Sequence, residues 1–171
     1  MRGHPGGEEH TRRMLELAAL PAGASVLDLG AGAGESLALL RTLGYDARGI
    51  DLAPRAPLVE RGDLLRSGLP DGSFDAVLSQ CAFFVSGDQR EALREAYRLL
   101  RPGGKLLLSD VFFEEPEPLL RGAGFTLLHA EDMTAPWREY FIEALWRGDA
   151  PCCAIPKGKS SYWLLTARKD G

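Results

Sequence analysis

The sequence predicts an α/β fold, with strands and helices alternating along the chain. Two observations carry that prediction. Short apolar runs alternate with stretches of helical periodicity, the pattern of parallel strands joined by crossover helices. In addition, Val26-Leu27-Asp28-Leu29 opens directly into Gly30-Ala31-Gly32-Ala33-Gly34, after which Leu37, Leu40 and Leu43 stand at helical spacing. That unit reads strand, glycine turn, helix, with a second strand following and ending at Asp51.

Taken in order, residues 1–7 are rich in Gly and Pro and are expected to be loose. Residues 8–20 form a helix with Met14, Leu17 and Ala18 inward, ended by Pro21 and Gly23. Five strands follow, near 25–29, 46–51, 57–62, 74–79 and 104–111. The helix over 35–43 stops at Gly44, a residue suited to the left-handed turn that ends helices. Residues 53–57 hold two prolines, so a loop or single turn replaces the third crossover helix and thinly covers one sheet edge. Residues 88–100 are helical, with Asp88 and Glu91 as a variant capping box and Leu93, Ala96, Tyr97 and Leu100 on one face. A helix near 116–122, a strand near 125–131, a helix near 136–147 and a strand near 161–168 complete the chain.

Composition sets bounds. With 171 residues and 45% hydrophobic content, residues 1–171 are expected to form one domain with a sizeable core. A net charge of −4 argues against a nucleic acid partner, which needs a clustered basic surface. Arg12 and Arg13, or Lys157 and Lys159, read as solvated charges. No apolar run is long enough to cross a bilayer and the first residues lack a signal peptide's apolar centre, so no membrane partner and a cytoplasmic location are expected. Three cysteines, an odd number, fit a reduced protein.

The glycine turn lets a ligand approach bare backbone, and Asp51 is placed to accept two hydrogen bonds from a ribose diol. A dinucleotide site wants Gly-x-Gly-x-x-Gly. Here the third glycine comes one residue early, and Glu35 stands where a small residue belongs. Carboxylates at 28 and 35 oppose a pyrophosphate but suit an ammonium and a sulfonium. Acid-x-Gly-x-Gly-x-Gly with a later strand-ending acid resembles the class I S-adenosylmethionine (SAM) methyltransferases. Arg61-Gly62-Asp63-Leu64, Pro70-Asp71-Gly72-Ser73-Phe74-Asp75 and Arg101-Pro102-Gly103-Gly104-Lys105 resemble later parts of that family's pattern, so the likeness spans residues 8–110.

The resemblance implies a Rossmann-like, seven-stranded sheet in the order 3-2-1-4-5-7-6 with strand seven antiparallel. It implies that this sheet is mostly parallel with helices on both faces, that SAM is the cofactor and that S-adenosylhomocysteine is the product. The cofactor pocket is expected from Asp28, Gly30, Ala31, Gly32, Asp51, Leu52, Asp63, Leu64, Ser79 and Gln80, with Asp63 beside the adenine amino group. The expected activity is methyl transfer to a small molecule whose identity the sequence does not carry.

The fourth-strand exit, Ser79 to Phe84, is expected to face the transferred methyl. Phe83 or Phe84 presents a ring to the sulfonium in one reading and packs in the core in the other. Trp137, Tyr140, Phe141 and Trp146 mix faces on the late helix, some for the core and one or two for the acceptor pocket. With a short N-terminal extension and only residues 111–118 after strand five, the pocket mouth is open or closed by the first helix, the late helix or a second subunit, as in a homodimer. His4, His10 and His129 lack metal-ligand spacing and no metal is expected; His129 reads as structural and His10 as a candidate base.

Cys81 follows the strand exit and Cys152-Cys153 form an adjacent pair. The former placement is similar to arsenite methyltransferases, although those are far longer. Pro5-Gly6-Gly7 and the cysteine pair resemble a group of small bacterial methyltransferases. Converging thiols would suit arsenic, selenium or a thiol acceptor; the competing reading makes Cys81 a small packing residue and the pair incidental. Besides the enzyme, a non-catalytic SAM-binding or adapter protein remains open, with a dinucleotide oxidoreductase as a third reading.

Overall fold

A computed structural model describes residues 5–148 and 158–171. In chain order it runs α1 (Gly7–Ala18), β1 (Ser25–Leu29), α2 (Glu35–Thr42), β2 (Asp46–Asp51), β3 (Glu60–Arg61), β4 (Phe74–Gln80), α3 (Gln89–Leu99), β5 (Leu100–Phe112), α4 (Pro116–Gly122), β6 (Phe125–Asp132), α5 (Thr134–Arg147) and β7 (Ser161–Lys169). The seven strands form one sheet in the order β3-β2-β1-β4-β5-β7-β6. β7 runs antiparallel to both β5 and β6, and the other pairings are parallel. This is the Rossmann-like order expected of class I methyltransferases.

Strand alternation divides the core between two faces. Leu27, Leu29, Val77, Leu106 and Leu108 turn toward Ala92, Leu93, Ala96 and Leu99 of α3 and Leu120 of α4. Val26, Ala76, Leu78 and Leu107 turn the other way, onto Met14, Leu15 and Ala18 of α1 and Leu37 and Leu40 of α2. Buried on both faces, β1 and β4 need the near-continuous apolar sequence they have. A third cluster joins Trp137 and Phe141 of α5 to Tyr162, Val111 and Cys81, with the Trp137 ring stacked on Tyr162 at 5.7 Å.

Several expectations shift. The third strand shrinks from 57–62 to Glu60–Arg61, because Pro57 has no N–H to pair and the Val59 N–H closes a turn on Ala56 O. Residues 52–59 form no helix, as the prolines require, and β3 is left as an exposed edge. β5 begins earlier than expected, at Leu100, because Leu100 pairs with Phe74 before a register shift brings Lys105 opposite Ala76. α1 ends at Ala18, where Ala19 takes a left-handed conformation, and its buried face includes His10 and Thr11, with Leu17 only half-buried.

The helix cap at Asp88 is one-sided. Asp88 Oδ1 accepts the Glu91 N–H at 3.0 Å, but the Asp88 N–H turns to Ser86 Oγ, so Glu91 does not return the bond. Replacing Asp88 by Ala is expected to cost about 0.5–2 kcal/mol in urea denaturation. An unchanged midpoint would show that the cap contributes nothing.

Candidate active site

The sheet order reverses direction between β1 and β4, and in open α/β sheets ligand crevices form beside such a point. A cleft of about 380 Å³ opens there, at the carboxyl ends of β1, β2 and β4. Its floor is the glycine turn. The N–H groups of Gly30 and Ala31 both donate to Ile50 O, at 2.9 and 3.0 Å, which folds the turn back over β2. Gly30 has φ of 85°, and a Cβ there would lie 2.2 Å from the Ala82 methyl. Only glycine meets both demands.

Asp51 ends β2 and fastens the turn from the side. Its Oδ2 accepts the Gly32 N–H at 2.9 Å and its Oδ1 accepts the Ala53 N–H at 2.8 Å. Across the cleft, Asp63 Oδ1 accepts the Leu65 N–H at 2.8 Å, a local turn that presents Asp63, Leu64 and Leu65 as one wall. Arg55 lies over Gly32; its guanidinium comes within 2.8 Å of where a Cβ would stand. It is the sole cation among the described cleft residues, facing Asp28, Glu35, Asp51 and Asp63.

Asp28 is only 3% exposed, and its Oδ2 has no hydrogen-bond partner among the described residues. Burial, with repulsion from Asp51 as a smaller cause, pushes its pKa up to about 7. A buried carboxylate facing a cleft without a partner is costly in the free protein, and the cost is relieved by any cation that enters.

Of the expected cofactor residues, Asp28, Gly30, Ala31, Gly32, Asp51, Leu52, Asp63, Leu64 and Gln80 all line this cleft. Gln80 Oε1 accepts the hydroxyls of Thr11 at 3.0 Å and Ser36 at 2.8 Å, which ties α1 and α2 to the end of β4. Ser79 is not on the wall: fully buried, it donates from Oγ to Leu29 O at 2.8 Å and stitches β4 to β1. Alternation explains the difference, since neighbouring residues on a strand point to opposite faces. Cleft residues that sequence reasoning did not assign to the pocket are Ala33, Ser36, Arg55, Leu65, Val85 and Ser86, while Ala82 entered only as part of the strand exit. Ala82 was legible in principle, because a bare turn requires a small neighbour. Arg55 carried no such signal.

Cys81 also lines the cleft, in a left-handed conformation with φ of 55°. Its N–H donates to Ser109 O at 2.8 Å, and its Sγ lies 3.3 Å from Tyr162 Oη. Burial, then the neighbouring Cys81, push the Tyr162 pKa well above its ordinary value, so the phenol stays protonated. Cys152, Cys153 and His4 lie outside the described residues. His10 is buried on α1 and lines a different groove, with Arg13, Glu131 and Met133, its ring 6.4 Å from that of Tyr162. His129 Nδ1 lies 3.0 Å from Thr166 Oγ1 within the β6–β7 pair.

Neither phenylalanine of the strand exit faces the cleft. Phe83 is core, and Phe84 packs on Phe113 at 5.8 Å. The exit turns sharply at Cys81, so Ala82, Val85 and Ser86 form the wall instead. On α5, Trp137 and Phe141 are core, Tyr140 packs edge-on against Phe141, and Trp146 is 87% exposed.

Comparison with known proteins agrees with this geometry. A family model described as "Methyltransferase domain" matches residues 27–108. An uncharacterized methyltransferase of Geobacillus kaustophilus is 31% identical over 184 residues, covering 92% of this chain and 83% of that one. The chain belongs to the SAM-dependent methyltransferase family. Within that family, an arsenite methyltransferase of Aquipseudomonas alcaligenes is 35% identical over 119 residues, covering 55% of this chain and 34% of the relative. Phosphoethanolamine N-methyltransferase 2 of Haemonchus contortus, solved in complex with SAM, shares the fold with a TM-score of 0.76 at 18% identity, over 98% of this chain and 54% of that one. The chain spans only 34%, 52% and 40% of the length of three curated methyltransferases it matches. Among the described residues no helix is long and apolar enough to cross a membrane.

The Asp28 carboxyl gives a signed stability prediction. Its pKa of about 7 exceeds the ordinary 3.8, so the native state holds a proton that the unfolded chain releases between those values. Wild-type stability therefore falls as pH rises through that window. Asp28→Asn should stabilise the ligand-free protein at pH 8 by several °C in Tm, with the gain vanishing toward pH 4. A pH-independent difference in thermal denaturation would contradict the buried, partnerless carboxylate.

Proposed function

We propose that this chain is a methyltransferase that binds SAM in the β1–β2–β4 cleft and transfers its methyl group to a small molecule. The observation that carries the reading is the pairing of a buried Asp28, whose Oδ2 has no hydrogen-bond partner among the described residues, with a glycine turn at Gly30 and Gly32 whose bare backbone lines the cleft. The residues fit the group. Asp28 would take the ligand's ammonium, Asp51 the ribose hydroxyls, and Asp63 with Leu64 the adenine edge, as the family resemblance implies. Asp51 retains acceptor capacity after its two backbone bonds, since each carboxylate oxygen carries two lone pairs.

When bound, SAM supplies an activated methyl on a sulfonium. The chain's own contribution is to bind, orient and exclude water. Proximity and orientation can account for roughly 7–11 kcal/mol of a bimolecular barrier. A general base is needed only for an acceptor that must lose a proton. The four carboxylates of the cleft favour the cationic donor over its neutral product by charge alone. We further place the protein in the cytoplasm, where a reduced Cys81 thiol persists.

A second reading takes a thiophilic acceptor, and the cleft position of Cys81 favours it, supported by the likeness to an arsenite methyltransferase. Methyl transfer assayed over arsenite, thiols, phenols and amines separates the two readings. Turnover of arsenite that is lost in Cys81→Ser would select the second.

Two outcomes are expected from titration calorimetry. Asp51→Ala should weaken SAM binding by about 1.5–3 kcal/mol, the range for hydrogen bonds to a charged group. In wild type, SAM affinity should fall as pH drops below about 7, with proton release on binding, because Asp28 must ionise to meet a cation. Affinity that is indifferent both to position 51 and to pH would remove SAM from this cleft.

A further inference from the structure

The wall formed by Asp63, Leu64 and Leu65 rests its two leucines on the core but has few hydrogen bonds to the sheet. β3, which precedes it, is a two-residue edge strand, and residues 62–73 have no regular structure. Among the described residues the wall's hydrogen bonds on the cleft side are that of the Gly62 N–H to Asp51 O and those of its own turn, from the Leu65 N–H to Asp63 Oδ1 and the Arg66 N–H to Asp63 O. Its second anchor lies outside the cleft, on α3.

Glu95 sits on the sheet-facing side of α3 and is 8% exposed. One of its oxygens, Oε1, accepts both the backbone N–H of Ser67 at 2.8 Å and the Ser67 hydroxyl at 2.6 Å. Ser67 is two residues beyond Leu65, and its Oγ also accepts the Leu69 N–H at 3.2 Å. Arg98, one turn along α3, grips both Glu95 oxygens, from Nη2 at 2.6 Å and Nε at 2.9 Å, and donates to Leu69 O at 2.7 Å. Burial alone would raise the Glu95 pKa, but the bonds from Arg98 and Ser67 carry it below the usual glutamate value, so the clamp is ionised at neutral pH. None of Glu95, Ser67 and Arg98 lines the cleft.

We propose that Glu95 is a positioning residue for ligand binding, holding the Asp63–Leu65 wall in register through Ser67. The proposal rests on the reading of this cleft as the SAM site. A carboxylate serves better than an amide, because Oε1 takes both Ser67 donors while Oε2 accepts from Arg98 Nε, where an amide would set its NH2 donor against another donor. Removing the charge with Glu95→Gln leaves the size of the side chain and the core of α3 intact, yet breaks the Arg98 pairing that orients Oε1 and so loosens the hold on Ser67.

The test has two arms. In ligand-free protein, amide hydrogen exchange at residues 63–67 should speed up in Glu95→Gln and, less so, in Ser67→Ala, with β1 and β4 unaffected. In calorimetry with S-adenosylhomocysteine, Glu95→Gln should weaken binding about tenfold, within the range for residues coupled through one network. That loss should not add to the loss from Asp63→Ala, but should multiply with the loss from Asp28→Asn, whose side chain approaches the ligand from β1. A lowered Tm with unchanged affinity, or full additivity with Asp63→Ala, would make Glu95 merely structural and overturn the proposal. Ser67→Ala provides the same comparison if Glu95→Gln does not fold. Wild-type protein that binds no S-adenosylhomocysteine would sink the cofactor reading instead, and the exchange arm would still decide whether Glu95 holds the wall.

Discussion

Where β1 ends, two successive backbone N–H groups, from Gly30 and Ala31, converge on the single carbonyl of Ile50, and the next acid along β2, Asp51, reaches back to the Gly32 N–H. These three bonds join the ends of two parallel strands through a turn that has no room for a side chain at position 30. The geometry of the cleft follows from them. They set the turn low enough for Ala82 to close over Gly30, leave the start of α2 facing open space, and hold Asp51 at the rim. A side chain at position 30 would push β1 and the β4 exit apart, so the cost of widening the turn would spread into the sheet.

The electrostatics of the cleft depend on the same closeness. Asp28 is on an interior strand, flanked by β2 and β4, and is almost wholly buried where β1 meets the cleft. A carboxylate in that position resists ionisation, and Asp51 nearby adds to the resistance. A folded chain gains nothing from such a group by itself. Its retention at the floor of a cleft is the kind of local cost that binding sites carry, repaid when a cation supplies the missing partner. The hydrogen bonds that Gln80 receives from Thr11 and Ser36 extend this arrangement outward, fastening two helices to the strand end that carries the opposite wall.

Much of this was legible in sequence because it rests on local rules. The glycine turn, the acids at 28 and 51 and the prolines at 54 and 57 each constrain the backbone within a few residues, and the structure follows them. The strand boundaries of β1 and β2 were readable for the same reason. What failed depended on tertiary geometry. Ser79 and Gln80 look alike as polar strand-end residues, yet pleating sends one to the sheet interior and the other to the cleft. Of the two readings of Phe83 and Phe84, the core one holds for Phe83 and neither ring reaches the cleft, because the left-handed conformation of Cys81 redirects the chain, and nothing at a cysteine announces such a turn. The Glu95–Ser67 clamp joins residues far apart in sequence, and at helical spacing Glu95 reads as an ordinary pair with Arg98.

If the glycine turn at residues 30–34, bounded by Asp28 and Asp51, receives an adenosylated amino acid, a crystal structure of the protein with S-adenosylhomocysteine will show it. The amino group is expected within hydrogen-bond distance of Asp28, the ribose hydroxyls on Asp51 and the purine beside Asp63 and Leu64. Ligand bound elsewhere, with Asp28 still lacking a partner, would contradict it.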